Sequence, residues 1–564
     1  MLRREQLEQE WEWRRQQFVT LYRVFLARAV DLELLARDAD TTRLVGQFVT
    51  IFLFFSICCA LPGVLIGMGL PQEATWKPEH FFIATTMVVA GAISVMLWDS
   101  AFPDRRDVLV LGPLPVRMST LFAAKVAALF SAPGLAIVAL NICTGLTWPL
   151  VFGYHRGSFA HGLLAWPAYW VTMAAAGVFV FCVLLTLQGV LANVLPRQLF
   201  LRLSALLQAG LLCGMLCVYL LEPSLESTKA LLAGQNQRML AWLPTYWFLG
   251  MFQQLNGSMR PEFVPLARRA WVGLGVSVLG AASALVLSYF RMMQKIVEQP
   301  EIVPVVRSVA LPGWMGGGLR LALTMFSLRT LMRSREHRMI LSFYLGIGLA
   351  VVVAWGKTSA DDAGRAATGI PVTALLASVL MMLLAVRALR VVVAMPITLK
   401  ANWVMQLTQV RRERAYRRAV RVSWLVLTVM PVLVVAAGSL LMGYRQGPVW
   451  LHLALLLAIG VLAVEVCLAT FPKVPFACSY LPGKANIHFI FWATLAGLIW
   501  LLREALEFES RLLLRPWWFG VLVLSLATVA GGVALSTEMR SRGTDVLVFE
   551  EEYGEQLVTL NLRS

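Results

Sequence analysis

The sequence predicts an all-α polytopic membrane protein, with about twelve transmembrane helices in two six-helix halves and amphipathic lead-in helices. Hydrophobic residues make up 59% of the 564 residues and charged residues only 14%, whereas a soluble domain is about half apolar and a quarter charged. The apolar residues fall in stretches of roughly 20, which is the length needed to cross a bilayer. Lysines and arginines gather in alternate loops between these stretches, as they do in proteins with several spans.

Each span is expected to be a helix, because the bilayer core offers backbone N–H and C=O groups no partner outside the chain. The sequence does not show the alternation of apolar and polar residues that is typical of a transmembrane β-barrel. The twelve predicted spans cover residues 45–67, 80–99, 119–145, 166–194, 203–221, 267–290, 339–356, 369–394, 422–443, 449–470, 488–502 and 516–537.

The distribution of positive charge predicts the orientation. If the N-terminus is cytoplasmic, the inner segments hold 36 of the 49 lysines and arginines and the outer segments hold 13. Cytoplasmic loops carry such an excess, and an even number of spans then places both termini in the cytoplasm. We therefore predict a multi-pass protein of the bacterial plasma (inner) membrane. The net charge of +17 reflects this bias and an attraction to anionic lipids rather than nucleic-acid binding.

Prolines and glycines between residues 291 and 318 predict a linker that divides the chain. Each half is preceded by a stretch with apolar residues at helical spacing beside arginines, and such helices lie in the membrane interface with their apolar side in lipid. The predicted segments are an amphipathic N-terminal region (1–44), a first six-span half (45–290), a cytoplasmic linker with a second amphipathic helix (291–338), a second six-span half (339–537) and a cytoplasmic tail (538–564).

The loop after the second predicted span combines charged and apolar residues on the cytoplasmic side. The run from Asp107 to Leu111 is compatible with a short helix that ends at Gly112 and Pro113. A short amphipathic helix outside the membrane is suited to docking into a groove on a soluble partner. The alternative interpretation is a solvated turn whose arginines belong to the positive-inside bias.

This loop resembles the first cytoplasmic loop of ABC-2 type transporter permeases, the membrane subunits of ABC exporters. The resemblance rests on an acidic residue, several aliphatic residues, the sequence Leu-Pro-Val-Arg and a following helix of small residues with a lysine. It implies a coupling helix that contacts a soluble nucleotide-binding ATPase subunit, which is expected to be a dimer. That subunit would bind the ATP, so no cofactor is expected in this chain. The positions that match are Asp107, Leu109, Leu114, Pro115 and Arg117.

The resemblance covers residues 1–290 and is weaker in the second half, where the corresponding loop begins at Met395 and lacks the Leu-Pro-Val sequence. A basic block precedes the ninth predicted span. It is interpreted either as a positive-inside anchor or as a contact with a soluble subunit or anionic headgroups. The candidate residues for this second cytoplasmic contact are Asn402, Trp403, Arg411 and Arg412.

An apolar and aromatic segment before the sixth span belongs to no full span. It resembles the outer helices that lie over the exit path in ABC-2 exporters, and the alternative is an interfacial aromatic belt. The candidate outer-gate residues are Pro244, Tyr246, Trp247 and Phe248.

The most notable ionisable residue within a predicted span is Glu465. Such residues commonly mark ion pathways, but a single carboxylate favours a structural role. The sequence has no phosphate loop, no metalloprotease motif and no GxSxG nucleophile motif. We therefore expect a permease without catalytic activity of its own, which exports a substrate by alternating access. The alternatives are a non-catalytic membrane scaffold and a membrane-embedded lipid- or glycan-processing enzyme, which would need a polar cluster at an interface.

Overall fold

The computed structural model describes helices and no β-strand in residues 2–30, 41–65, 76–101, 111, 113–154, 159–221, 234–257, 261–298, 319–361, 370–394, 414–444, 446–469, 476, 505, 508–509, 511–513 and 515–540. The chain divides into two compact units, Met1–Pro304 and Val305–Ser564. The two units are described separately below.

The first unit contains ten described α-helices, with the long helix α6 at the centre. Helix α6 packs against α3, α4, α5 and α10, so it joins most of the unit into one core. The helices are α1 (Leu2–Val30), α2 (Thr41–Leu65), α3 (Trp76–Met96), α4 (Met118–Asn141), α5 (Thr144–Tyr154), α6 (Phe159–Val194), α7 (Arg197–Leu221), α8 (Gly234–Leu240), α9 (Pro244–Leu255) and α10 (Val264–Glu298).

The second unit contains seven described helices. Helix α13 packs against α12, α15 and α16, and α16 also packs against α17. A π-helical turn at Leu425–Val429 joins α14 to α15 without interrupting the span. The helices are α11 (Leu319–Arg333), α12 (Arg335–Asp361), α13 (Val372–Val393), α14 (Arg414–Trp424), α15 (Met430–Gly443), α16 (Gln446–Ala469) and α17 (Pro516–Arg540).

The prediction of an all-α membrane protein is confirmed. Within the described residues, eight helical segments are long and apolar enough to cross a membrane, and each coincides with a predicted span. Three further predicted spans coincide with shorter apolar helices inside α2, α7 and α12. The predicted span at 488–502 lies outside the described residues. The total of twelve spans and the division into six-span halves stay predictions.

The outward face of α17 is apolar, as expected for a helix in contact with lipid. Val521, Leu524, Val529 and Leu535 are all exposed in the isolated chain. Water would penalise this surface, whereas lipid tails would not, because they are as apolar as the side chains. The exposed apolar surface therefore supports insertion into a membrane.

The N-terminal helix differs from the expectation of a helix that faces lipid with its apolar side. Leu21 and Phe25 of α1 are buried against Leu121, Ala124 and Ala128 of α4. The small alanine side chains allow the two helices to approach closely. This part of the apolar face of α1 therefore packs on protein.

The predicted span at 119–145 also ends earlier than expected. Helix α4 ends at Asn141 and α5 begins at Thr144. The Ser56 hydroxyl oxygen accepts hydrogen bonds from the backbone N–H groups of Cys143, at 3.1 Å, and Thr144, at 3.3 Å. A side chain from α2 thus supplies acceptors that the start of a helix otherwise lacks, which stabilises the break.

Candidate functional site

The segment from Leu111 to Arg117, here called the 111–117 loop, exposes part of the predicted coupling region. Leu114, Pro115 and Arg117 are exposed, and the Leu114 residue has 48% relative exposure. Leu111 and Val116 point the other way and pack against the α1–α4 cluster. The loop therefore presents one apolar residue outward while its neighbours attach it to the bundle.

Hydrogen bonds fix the shape of the 111–117 loop. The Leu114 N–H donates to the Leu111 carbonyl at 3.2 Å, and the Val116 N–H donates to the Leu114 carbonyl at 2.7 Å. The side-chain amide of Gln17 in α1 donates to the Pro115 carbonyl at 3.5 Å. A loop held by both α1 and its own backbone can transmit a force to the helices behind it.

The helices behind the loop are joined by polar as well as apolar contacts. The hydroxyls of Tyr22 in α1 and Ser131 in α4 are 2.9 Å apart and share a hydrogen bond. The Lys125 ammonium lies 5.4 Å from the centre of the Phe25 ring, within the range of a cation–π interaction. These contacts join α1 and α4 into one support for the loop.

Asp107 and Leu109, the other two matched positions, lie outside the described residues. The structure therefore shows that Leu114, Pro115 and Arg117 are each exposed and does not test the predicted short helix before them.

The four residues of the candidate second cytoplasmic contact, Asn402, Trp403, Arg411 and Arg412, also lie outside the described residues. The basic block continues into α14, where Arg417 and Arg421 contact neighbouring helices. Arg417 donates a hydrogen bond to the backbone carbonyl of Thr537 in α17 at 2.7 Å.

Glu465 pairs with Arg421 of the same basic block. The Arg421 Nη2 donates to Glu465 Oε2 at 3.0 Å, and Arg421 Nε contacts the second carboxylate oxygen. The Glu465 side chain is 5% exposed and that of Arg421 30% exposed. A carboxylate neutralised in two-point contact by a guanidinium suits a structural role.

The candidate outer-gate segment forms α9 and packs inside the first unit. Tyr246 and Phe248 are buried in an aromatic cluster with Trp148 of α5 and Phe82 of α3, while Trp247 packs at the edge of that cluster. Pro244 occupies the first turn of α9, where a missing N–H costs little. The aromatic rings of Tyr246 and Phe248 are therefore core residues of the first unit, and the outer-gate role stays a prediction.

Two polar contacts join α9 to the start of α3. Gln253 donates a hydrogen bond to the buried carboxylate of Glu79. The rings of His80 and Tyr246 are stacked with centroids 4.2 Å apart. The position of α9 on the bundle is therefore specified by polar as well as apolar groups.

A buried polar network lies at the break between α4 and α5. The Tyr169 hydroxyl is 2.8 Å from Asn141 Oδ1 and 3.0 Å from the Thr144 hydroxyl oxygen. The Asn141 amide also donates to the Thr86 hydroxyl at 3.1 Å. Sequence analysis missed this network because its residues are far apart in the chain, although a lone asparagine within a predicted span is a usable signal.

The second unit holds a polar cluster that sequence analysis also missed, here called the Ser–His–Glu cluster. The Ser378 hydroxyl oxygen lies 2.7 Å from His452 Nε2, and His452 Nδ1 lies 2.6 Å from Glu509 Oε1. Ser378 belongs to α13, His452 to α16, and Glu509 to a helical turn before α17. The only sequence signal is a histidine inside an apolar span.

Within the described part of the chain, no group of three or more histidine, cysteine, aspartate or glutamate residues is placed to hold a metal ion. Comparisons with protein-family models, with characterised proteins and with solved structures found no match to this chain.

Proposed function

We propose that this chain is the membrane-spanning permease subunit of an ABC-type exporter, in which a separate ATPase subunit drives alternating access. In this proposal the chain spans the bacterial plasma membrane with both termini in the cytoplasm. The apolar helices and the asymmetry of positive charge support this topology. The resemblance of the loop after the second predicted span to ABC-2 permeases supplies the class of partner.

The observation that carries the proposal is the exposure of Leu114 and Pro115 on a loop that hydrogen bonds and packing hold against α1 and α4. Burial of an apolar side chain at the tip of a charged loop lowers its free energy relative to exposure to water. Its neighbours Leu111 and Val116 are directed into the bundle, so the tip is available while the loop stays attached. An apolar groove on a soluble ATPase would bury this exposed leucine.

Helix α4 provides a path for the mechanical coupling. Its 24 residues make a rod of about 36 Å that begins directly after the 111–117 loop. At its far end lie Asn141, the break before α5, and the aromatic cluster that also holds α9. In the proposed mechanism, movement of the loop by the ATPase shifts α4 and so loosens the packing around α9.

A membrane-embedded enzyme is the second candidate, because that alternative needs a polar cluster and the Ser–His–Glu cluster lies near the predicted outer ends of its helices. Since that cluster lies in the second unit, far along the chain from the 111–117 loop, the two activities are tested separately.

Photo-cross-linking in the native membrane tests the permease proposal. A benzoylphenylalanine residue is introduced at Leu114, cells are irradiated, and cross-linked proteins are identified by mass spectrometry. The expected product is a soluble protein with a phosphate loop. The matched control places the same residue at the highly exposed Trp242, which lies in a predicted outer segment and should capture no cytoplasmic protein. Failure of position 114 to capture an ATPase, with efficient cross-linking to other proteins or lipid, would refute the proposal.

A further inference from the structure

The Ser–His–Glu cluster has the order of groups found in serine hydrolases: a hydroxyl, an imidazole and a carboxylate joined by two hydrogen bonds. The two bonds use different ring nitrogens of His452, Nε2 toward Ser378 and Nδ1 toward Glu509. Such constellations are recognised by geometry, because the same arrangement occurs on unrelated folds and in different chain orders. We propose that Ser378 is a nucleophile for acyl esters, with His452 as its general base and Glu509 as the residue that positions the imidazole.

The hydrogen bonds define a role for each group. A Glu509 carboxylate oxygen accepts a hydrogen bond from the protonated Nδ1 of His452. The lone pair of Nε2 is then directed at the Ser378 hydroxyl. This tautomer follows from the hydrogen-bond partners. The Ser378 hydroxyl is also 2.7 Å from the Leu375 carbonyl, so its single proton has two acceptors. When the hydroxyl turns from Leu375 to His452, the oxygen becomes a nucleophile activated by an adjacent base.

Burial differs among the three residues in a way that fits this assignment. Ser378 keeps 8% relative exposure, whereas His452 has 0% and Glu509 has 3%. Ser378 is therefore the least buried of the three, and the base and its positioning carboxylate are shielded from water. A shielded site strengthens the hydrogen bonds that orient the imidazole.

The surroundings indicate the class of substrate. Trp450, two residues before His452, and Phe508, next to Glu509, are both exposed. Ser378 and His452 each lie six residues beyond the first residue of their helix, or about 9 Å along it. In the predicted topology these helix ends face outward. An ester that carries an acyl chain, which dissolves in the apolar part of the membrane, suits a serine at this depth.

The proposed reaction consumes one water molecule. Ser378 Oγ bonds to the ester carbonyl carbon while its proton passes to His452 Nε2. The bond from that carbon to the alcohol oxygen then breaks, and the alcohol leaves with the proton from His452. Water attacks the resulting acyl-serine, gives its proton to His452 Nε2, and releases the carboxylic acid as Ser378 Oγ recovers that proton. The net change is ester and water to acid and alcohol.

The test uses the full-length protein in detergent and an alkyl fluorophosphonate, which forms a covalent bond to an activated serine with loss of fluoride. Mass spectrometry of the labelled wild-type protein should locate the phosphonate on Ser378. This readout needs no variant and so does not depend on whether a variant folds. Labelling of a different serine, or no labelling above that of heat-denatured protein, would overturn the proposal.

Ser423 provides a matched control. It is 1% exposed, lies in the same unit, and donates to the carbonyl three residues earlier at 2.8 Å, as Ser378 does. No histidine contact accompanies it in the described structure. Ser378→Ala should abolish labelling, whereas Ser423→Ala should leave the rate unchanged. Equal labelling of the two variants would contradict the assignment.

Variants of the two partners separate a catalytic from a packing role. His452→Gln should slow labelling by about 100-fold or more, the contribution of a general base. Glu509→Gln should also slow it, and Glu509→Asp should restore part of the rate by restoring a carboxylate. Hydrolysis of a p-nitrophenyl ester of a medium-chain fatty acid should follow the same order. If the labelling rates of the variants correlate only with their thermal stability, and not with the presence of the carboxylate, the cluster has a structural role and the proposal is wrong. The cross-linking result at Leu114 is independent of all these outcomes.

Discussion

Replacement of Leu114 tests whether the 111–117 loop docks by burying its apolar tip. Complete burial of a leucine side chain contributes about 1.5–3 kcal/mol. Leu114 has 48% relative exposure before any partner binds. Docking can therefore supply about half of this free energy, or about 0.7–1.5 kcal/mol. Leu114→Ala should therefore weaken binding of the ATPase about three- to twelvefold. Leu114→Asp should exceed tenfold, because it also places a carboxylate in an apolar groove.

The assay measures the dissociation constant of the cross-linked ATPase, once identified and purified, for the chain in lipid nanodiscs. Leu146→Ala is the matched control, since Leu146 is also an exposed leucine but lies on α5, at the predicted outer side. Leu111→Ala is the opposite control: it removes a contact with the α1–α4 cluster and should lower thermal stability. If Leu114→Ala and Leu146→Ala both bind with wild-type affinity, the loop is a connector and the docking argument is wrong.

Three other predictions concern packing and topology. Arg421→Ala should destabilise the protein by about 2 kcal/mol in thermal unfolding, less than the roughly 3–5 kcal/mol of a fully buried pair, because Arg421 is 30% exposed. The double variant with Glu465→Gln should recover part of the lost stability. An Arg421→Ala protein as stable as the wild type would contradict the pairing. Gly250→Ala should destabilise the protein by about 1–3 kcal/mol, because an added methyl group would lie 2.8 Å from a backbone atom of α10. Gly275→Ala should be tolerated, because an added methyl group there would have no atom within 4 Å. Similar effects of the two substitutions would refute this packing. In a cysteine-free background, a cysteine at Ser158 should react with an impermeant reagent from outside and one in the C-terminal tail should not, and the reverse pattern would invert the topology.

The sequence was sufficient for the class of fold and for most helix positions. Hydropathy depends on composition over about 20 residues, so the prediction needs no knowledge of which helices touch. The predicted span 369–394 agrees with α13 at Val372–Val393 for this reason. The exposure of Leu114 could also be predicted, because it is an apolar residue in a charged loop; the coupling role of the loop stays a prediction.

Contacts between distant residues could not be predicted in the same way. Ser378 and His452 are 74 residues apart, and His452 and Glu509 are 57 apart, so no local motif joins them. The early end of α4 depends on the Ser56 hydroxyl of another helix. Which face of α1 meets α4 depends equally on the alanines of the partner helix. Such features are decided by tertiary packing rather than by local pattern.

The central claim, that this chain is a permease driven by a separate ATPase, is tested most directly by ATP binding and hydrolysis in proteoliposomes. The chain alone lacks a phosphate loop, so we expect it to bind no nucleotide and to hydrolyse none. Addition of the ATPase captured at Leu114 should give hydrolysis whose rate depends on the chain and falls with Leu114→Asp. Saturable micromolar ATP binding to the chain alone, or an ATPase rate that the chain does not change, would contradict the claim.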